Sequence, residues 1–179
     1  MYTDKELIAG CKKNDRVMQK ALYETYAPRL LVVCQRYMSS GQEAEDVLQE
    51  ALIKIFKSID KFRGESHLFY WLKRITVNTA LNALRNRMQV ESIETGPAMY
   101  TESGWDAVAD LELEELIGLI WELPQGCQLV FNMYVIEGYK HDEIASQLGI
   151  SAGTSKSQLA RAKTLLQEKI RKEELKNHG

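Results

Sequence analysis

Forty consecutive residues, Met88 to Cys127, contain neither lysine nor arginine. Other absences narrow the reading further. No run of about 18 apolar residues occurs, so no membrane insertion is expected. The opening stretch MYTDKELIAGCKKND is charged and lacks the apolar segment of a signal peptide, so the protein reads as cytoplasmic. The three cysteines, Cys11, Cys34 and Cys127, lie far apart with no C-x-x-C pair. They read as isolated thiols in a reducing compartment, not as a disulfide framework or a zinc site. His67, His141 and His178 stand at no catalytic or metal-ligating spacing, so no cofactor is expected and an enzyme is disfavoured. Only three prolines interrupt 179 residues, which leaves room for long helices.

The formal net charge of −2 conceals a strong asymmetry. From Lys54 to Arg87 eight bases stand against two acids, and from Met88 to Cys127 nine acids stand alone. From Lys140 onward eight bases face five acids. Two basic blocks therefore flank an acidic one, a pattern that the total charge does not reveal.

The 3.6-residue period dominates from Lys5 to Arg87. In AEDVLQEALIKIFK the apolar residues Val47, Leu48, Ala51, Leu52, Ile55 and Phe56 form one helical stripe, with Glu43, Asp46, Gln49 and Glu50 on the other side. DKFRGES breaks the pattern. Gly64 predicts a turn, and Ser66 is the expected N-cap of a helix running to about Arg87 with Leu68, Trp71, Leu72, Ile75 and Thr79 along one side. Periodicity fades from Met88 to about Ala109, where ESIETGPAMYTESGWD reads as a linker. It returns at DLELEELIGLIWEL, breaks at Pro124–Gly126 and resumes at CQLVFNMYVIEG. No stretch alternates over enough residues to require a sheet. The expected fold is all-α: two small helical domains, 1–88 and 110–179, joined by a flexible acidic linker, 89–109.

HDEIASQLGISAGTSKSQLARAK, residues 141–163, predicts a helix-turn-helix within the second domain. Gly149 suits a left-handed turn, and Ser151 the N-cap of the second helix. On that helix Ala152, Ser155, Leu159, Ala162 and Leu166 share a face that Ile144, Ala145 and Leu148 can cover. The opposite face carries Gly153, Lys156, Ser157, Ala160 and Arg161, and no acid precedes Glu168. A helix that enters a DNA groove needs small residues for close approach and donors for phosphates and base edges.

AEDVLQEALIKIFKSIDKFRGESHLFYWLKRITVN together with LPQGCQLVFNMYVIEGYKHDEIASQLGISAGTSKSQLARAK resembles the extracytoplasmic-function sigma factors of bacterial RNA polymerase, within the sigma-70 family. Two separate motifs, in family order, span nearly the whole chain. The resemblance implies a transcription initiation factor that binds bacterial core RNA polymerase and directs it to promoter DNA, with an anti-sigma factor as its regulator. It assigns Asp46, Gln49 and Glu50 to contact with the polymerase. It places Lys54, Phe62, Arg63 and Asn78 around a base of the minus-ten element drawn from the stack, a step whose cost pocket contacts must offset. Trp71, in the apolar stripe, is read as core rather than as a stacking platform. Thr154, Lys156, Ser157, Ala160 and Arg161 fall at positions that read the minus-thirty-five element. The acidic linker would thread the polymerase cleft.

Four residues depart from the family's usual pattern: Leu68 for an aromatic, Gln128 and Gln158 for arginines, and Ser155 for an apolar residue. The competing reading is a free-standing helix-turn-helix regulator. It leaves AEDVLQE and FRGES without a task; a third reading, a purely protein-binding helical module, leaves the basic faces only solvated.

Overall fold

The computed structural model describes residues 2–91 and 118–177, and the side chains of 2–86 and 118–172. All regular elements among the described residues are helical, and none is long and apolar enough to cross a membrane. The chain divides into two compact units, Met1–Trp105 and Asp106–Gly179. The expected linker, 89–109, lies outside the described residues except for 89–91, which continue a helix.

The first unit begins with α1, Asp4–Lys12, whose N-cap Thr3 and Glu6 form a reciprocal capping box. Asn14, at φ 57°, turns the chain, and Gly10 lets the next helix approach closely: a Cβ there would lie 2.2 Å from Met18 Cγ. Helix α2, Arg16–Gln35, runs through Pro28. That residue supplies no N–H to the carbonyl four residues back, so propensity alone would not favour helix here. Burial outweighs it, because Leu22, Tyr26, Leu30, Val33 and Cys34 all face inward. Each such side chain removed from water contributes about 1.5–3 kcal/mol.

Helix α3, Gly41–Ser58, starts at Ser40, whose Oγ accepts the Glu43 N–H at 3.2 Å. Its buried stripe is Ala44, Val47, Leu48, Ala51, Leu52 and Ile55, with Phe56 half-buried at the margin. A 3-10 turn, Ile59–Lys61, leads into the loop before α4, Leu68–Glu91. The cap of α4 is His67 rather than Ser66: its Nδ1 accepts the Phe69 N–H at 3.3 Å, and its carbonyl accepts from Tyr70. Leu68, Leu72, Thr79 and also Thr76, Val77 and Leu81 are buried, so α4 is covered on more than one side. Thr76 and Thr79 satisfy their hydroxyls on the carbonyls of Leu72 and Ile75. Helices α2, α3 and α4 pack on one another, and α1 lies on α2.

In the second unit residues 118–121 are helical and bring in Leu119 and Ile120. Pro124 caps α5, Gln125–Phe131, which passes into a π-helical turn, Asn132–Ile136. The turn was not legible in CQLVFNMYVIEG, whose spacing reads as ordinary helix. Then come α6, His141–Leu148, and α7, Ala152–Asn177. Leu119, Ile120, Leu123, Cys127, Ala162 and Leu166 form one buried cluster that ties α5 to α7.

Candidate nucleic-acid interface

The helix-turn-helix forms from local signals. Lys140 N–H donates to Glu143 Oε2 at 2.9 Å, opening α6. Gly149, at φ 67°, closes it in the left-handed region that glycine enters without steric cost. Ser151 Oγ accepts the Thr154 N–H at 2.9 Å and starts α7. Ser155, Leu159, Ala162 and Leu166 are buried, and Ala152 is half-buried. Gly153, Thr154, Lys156, Ser157, Ala160 and Arg161 are exposed on the other side. Ser157 Oγ is engaged by the Thr154 carbonyl at 2.9 Å, and Thr154 Oγ1 lies 2.9 Å from Ser151 Oγ. The free hydrogen-bonding reach of this face therefore comes chiefly from Lys156 and Arg161.

Ser155 and Gln158 have partners that spacing could not supply. Ser155 Oγ lies 2.9 Å from Nδ1 of His141, and the imidazole stacks on Tyr134 at 4.4 Å between ring centroids. Gln158 Oε1 accepts from the Cys127 thiol at 2.9 Å. Burial pushes the Cys127 thiol up from its ordinary pKa, against the charge of Arg161, which lowers it. Gln128 is buried as well.

In the first unit Asp46, Gln49 and Glu50 are exposed on α3, and Ile53 extends the same face at 54% exposure. Glu50 pairs with Lys54 at 2.6 Å. Lys54 Nζ also reaches Thr79 Oγ1 at 3.4 Å, next to the half-buried Asn78 on α4. The expected polymerase-facing and DNA-facing sets thus adjoin through an ion pair.

In the FRGES loop the expected minus-ten residue Phe62 is packed inward. Phe62 is 7% exposed, and its ring packs on Trp71 at 5.3 Å between centroids. An aromatic held in this way supports the loop from beneath. Trp71 itself is half-buried, in keeping with a packing role. Arg63 and Gly64, at φ 76°, stand exposed above it, with Arg63 4.0 Å from Glu65. The reading of the residues missed Lys12, whose Nζ donates to the Phe62 carbonyl at 3.1 Å and anchors the loop to α1. It also missed the aromatic cluster at the start of α4. There Arg29 lies 3.9 Å from the Phe69 ring centroid, Tyr26 donates to Asp4 at 2.5 Å, and His67 stands 3.9 Å from the same carboxylate. These pairs link positions 22 to 63 residues apart, beyond the reach of any periodicity argument.

Comparison with known proteins follows the same two units. The model of Sigma-70 region 2 matches residues 22–89, and that of Sigma-70, region 4 matches residues 113–166. The ECF RNA polymerase sigma-E factor of Escherichia coli (strain K12) is 29% identical over 181 aligned positions, covering 94% of each chain. The chain belongs to the extracytoplasmic-function sigma factors. The RNA polymerase sigma-H factor of Pseudomonas aeruginosa is likewise 29% identical, over 93% of each chain.

As an extracytoplasmic-function sigma factor, the chain is a transcription initiation factor that acts with RNA polymerase at promoters, neither an enzyme nor a free-standing regulator. The solved sigma factor RpoE, in complex with the anti-sigma factor NepR from Bartonella quintana, shares the fold at a TM-score of 0.62 and 24% identity, covering 85% of this chain and 96% of that one. CnrH, in complex with the cytosolic domain of CnrY, shares it at a TM-score of 0.54 and 20% identity, covering 94% and 97%.

Proposed function

We propose that residues 1–88 bind core polymerase and open the minus-ten element, that 89–109 tether the two domains, and that 110–179 read the minus-thirty-five element. Asp46, Gln49 and Glu50 form the polymerase contact. Lys54, Arg63 and Asn78 face minus-ten DNA, with Phe62 setting the loop from below rather than touching a base. Thr154, Lys156, Ser157, Ala160 and Arg161 face the upstream element. The protein works in the cytoplasm, and an anti-sigma factor controls it, as the fold relative solved with the anti-sigma factor NepR suggests by analogy.

The observation that carries the upstream assignment is the division of α7 into a buried, largely apolar face and an exposed face that carries the long cations Lys156 and Arg161. A cation bridging a base edge contributes about 1–3 kcal/mol of discrimination. Arg161→Ala should therefore lower transcription from a promoter with an intact minus-thirty-five element by about ten-fold or more, at roughly 1.4 kcal/mol per decade. Run-off transcription with reconstituted holoenzyme measures it. Full output from the folded variant would remove Arg161 from the interface.

A further inference from the structure

A helix that reads bases must be held at one roll angle about its own axis. The tips of side chains lie about 5–6 Å from that axis, so a roll of about 10° moves them by about 1 Å. Hydrogen bonds to base edges do not survive such a displacement unchanged, because they weaken steeply away from their preferred distance and angle. Close-packed apolar side chains already limit rolling. Hydrogen bonds resist it through their geometry.

Near its N-terminal, exposed reading face, helix α7 has two such bonds, both from residues turned away from that face; a third tertiary bond, from Lys169 to Glu122, lies further along the helix. Ser155 is fully buried and engages His141 Nδ1 at 2.9 Å, and His141 is itself stacked on Tyr134. Gln158 is half-buried at the flank and accepts from the Cys127 thiol at 2.9 Å. Its carboxamide lies over Gly126, where a Cβ would stand 3.4 Å from both Cδ and Nε2. The amide therefore has close neighbours on the α5 side as well as a hydrogen bond. At about 100° per residue the two anchors sit about 60° apart around the helix, and Arg161 lies about 60° beyond Gln158. Arg161 follows Gln158 by three residues on the same helix, and its charge lowers the Cys127 thiol pKa against burial.

We propose that Ser155 and Gln158 are positioning residues for minus-thirty-five recognition: through His141 and Cys127 they fix the roll of α7, and so determine which bases Lys156 and Arg161 discriminate. This rests on the reading of the exposed face given above.

The test uses the full chain with core polymerase on promoters that differ by single bases in the minus-thirty-five element. The readout is the ratio of output between the preferred and the altered promoters. Cys127→Ala and Ser155→Ala should each reduce that ratio about three- to five-fold, the equivalent of one modest hydrogen bond. Cys127→Ser should restore it, because its hydroxyl donates to the same Gln158 oxygen. Leu166→Val, a core change with no polar partner, should lower all promoters alike and leave the ratio unchanged. If both anchor variants behave as Leu166→Val does, the anchors only stabilise the fold and the inference fails. If only one anchor shifts the ratio, the two-point claim falls. Arg161→Ala is measured alongside. A lost preference there with intact ratios in the anchor variants defeats this inference alone. An unchanged preference in Arg161→Ala defeats the underlying reading, and this inference with it.

Discussion

Replacing Phe62 separates a prop beneath the FRGES loop from a residue that touches DNA. The ring is buried against Trp71 at 5.3 Å between centroids, and the adjoining carbonyl is held by Lys12. Truncating a buried phenylalanine to alanine costs about 3–5 kcal/mol. Phe62 lies in a loop and not on a central helix, which points to the lower figure. At about 4–8 °C per kcal/mol for a unit of this size, Phe62→Ala should lower its melting temperature by about 12–24 °C. Phe62→Leu keeps most of the apolar volume and should cost about 1–1.5 kcal/mol. The decisive comparison is Phe62→Leu in promoter opening, followed by permanganate reactivity of minus-ten thymines well below the melting temperature. A prop predicts less than about three-fold loss, because Arg63 and the loop backbone stay in place. A ring stacked on a base would forfeit about 1–3 kcal/mol, roughly five-fold to more than a hundred-fold. Wild-type melting of Phe62→Leu with a ten-fold or greater loss of opening would refute the argument.

Three further outcomes are expected. Asp46→Lys combined with Glu50→Lys should weaken capture of core polymerase by about ten-fold or more while leaving helical circular dichroism unchanged, since both residues lie off the buried stripe; undiminished capture would count against the assignment. Lys12→Met should reduce minus-ten opening about five-fold without affecting polymerase capture, because it frees the Phe62 carbonyl; equal loss in both assays would mean that Lys12 serves the fold as a whole. Burial, and then the bond to Asp4, push the Tyr26 phenol up to about 12. Its folded pKa thus exceeds the ordinary value of about 10, so its contribution is whole below pH 10 and is lost as pH rises toward 12. Tyr26→Phe should flatten the fall of stability across that window in urea melts, and parallel curves for the two proteins would contradict the assignment.

What could be read from the sequence was what neighbouring residues decide among themselves. The stripe on α3, the left-handed Gly149 and the Ser151 cap each depend on residues within a turn or two, so spacing alone located them. The α4 cap was missed by one residue for a related reason. Serine is a common cap and histidine a rare one, yet His67 is also held near Asp4 of α1, 63 positions earlier, and tertiary placement favours it. The packing of Phe62 was not legible either, because a phenylalanine in a Gly-containing loop looks exposed until Trp71 is known to cover it.

Ser155 and Gln158 carry the same point further. Read along the helix, each looks like a weakened contact: a polar group where an apolar one packs, and an amide where a cation could reach phosphate. In the fold their partners are His141 and Cys127, 14 and 31 residues away. A buried hydroxyl without a partner is unfavourable by about 1–3 kcal/mol, so Ser155 is tolerable only because His141 is there. An apolar residue at 155 would leave the half-buried imidazole of His141 without this partner. The two sites are thus coupled pairs, and the effect of changing one member depends on the other. Single-residue comparison with a family pattern sees only half of each pair.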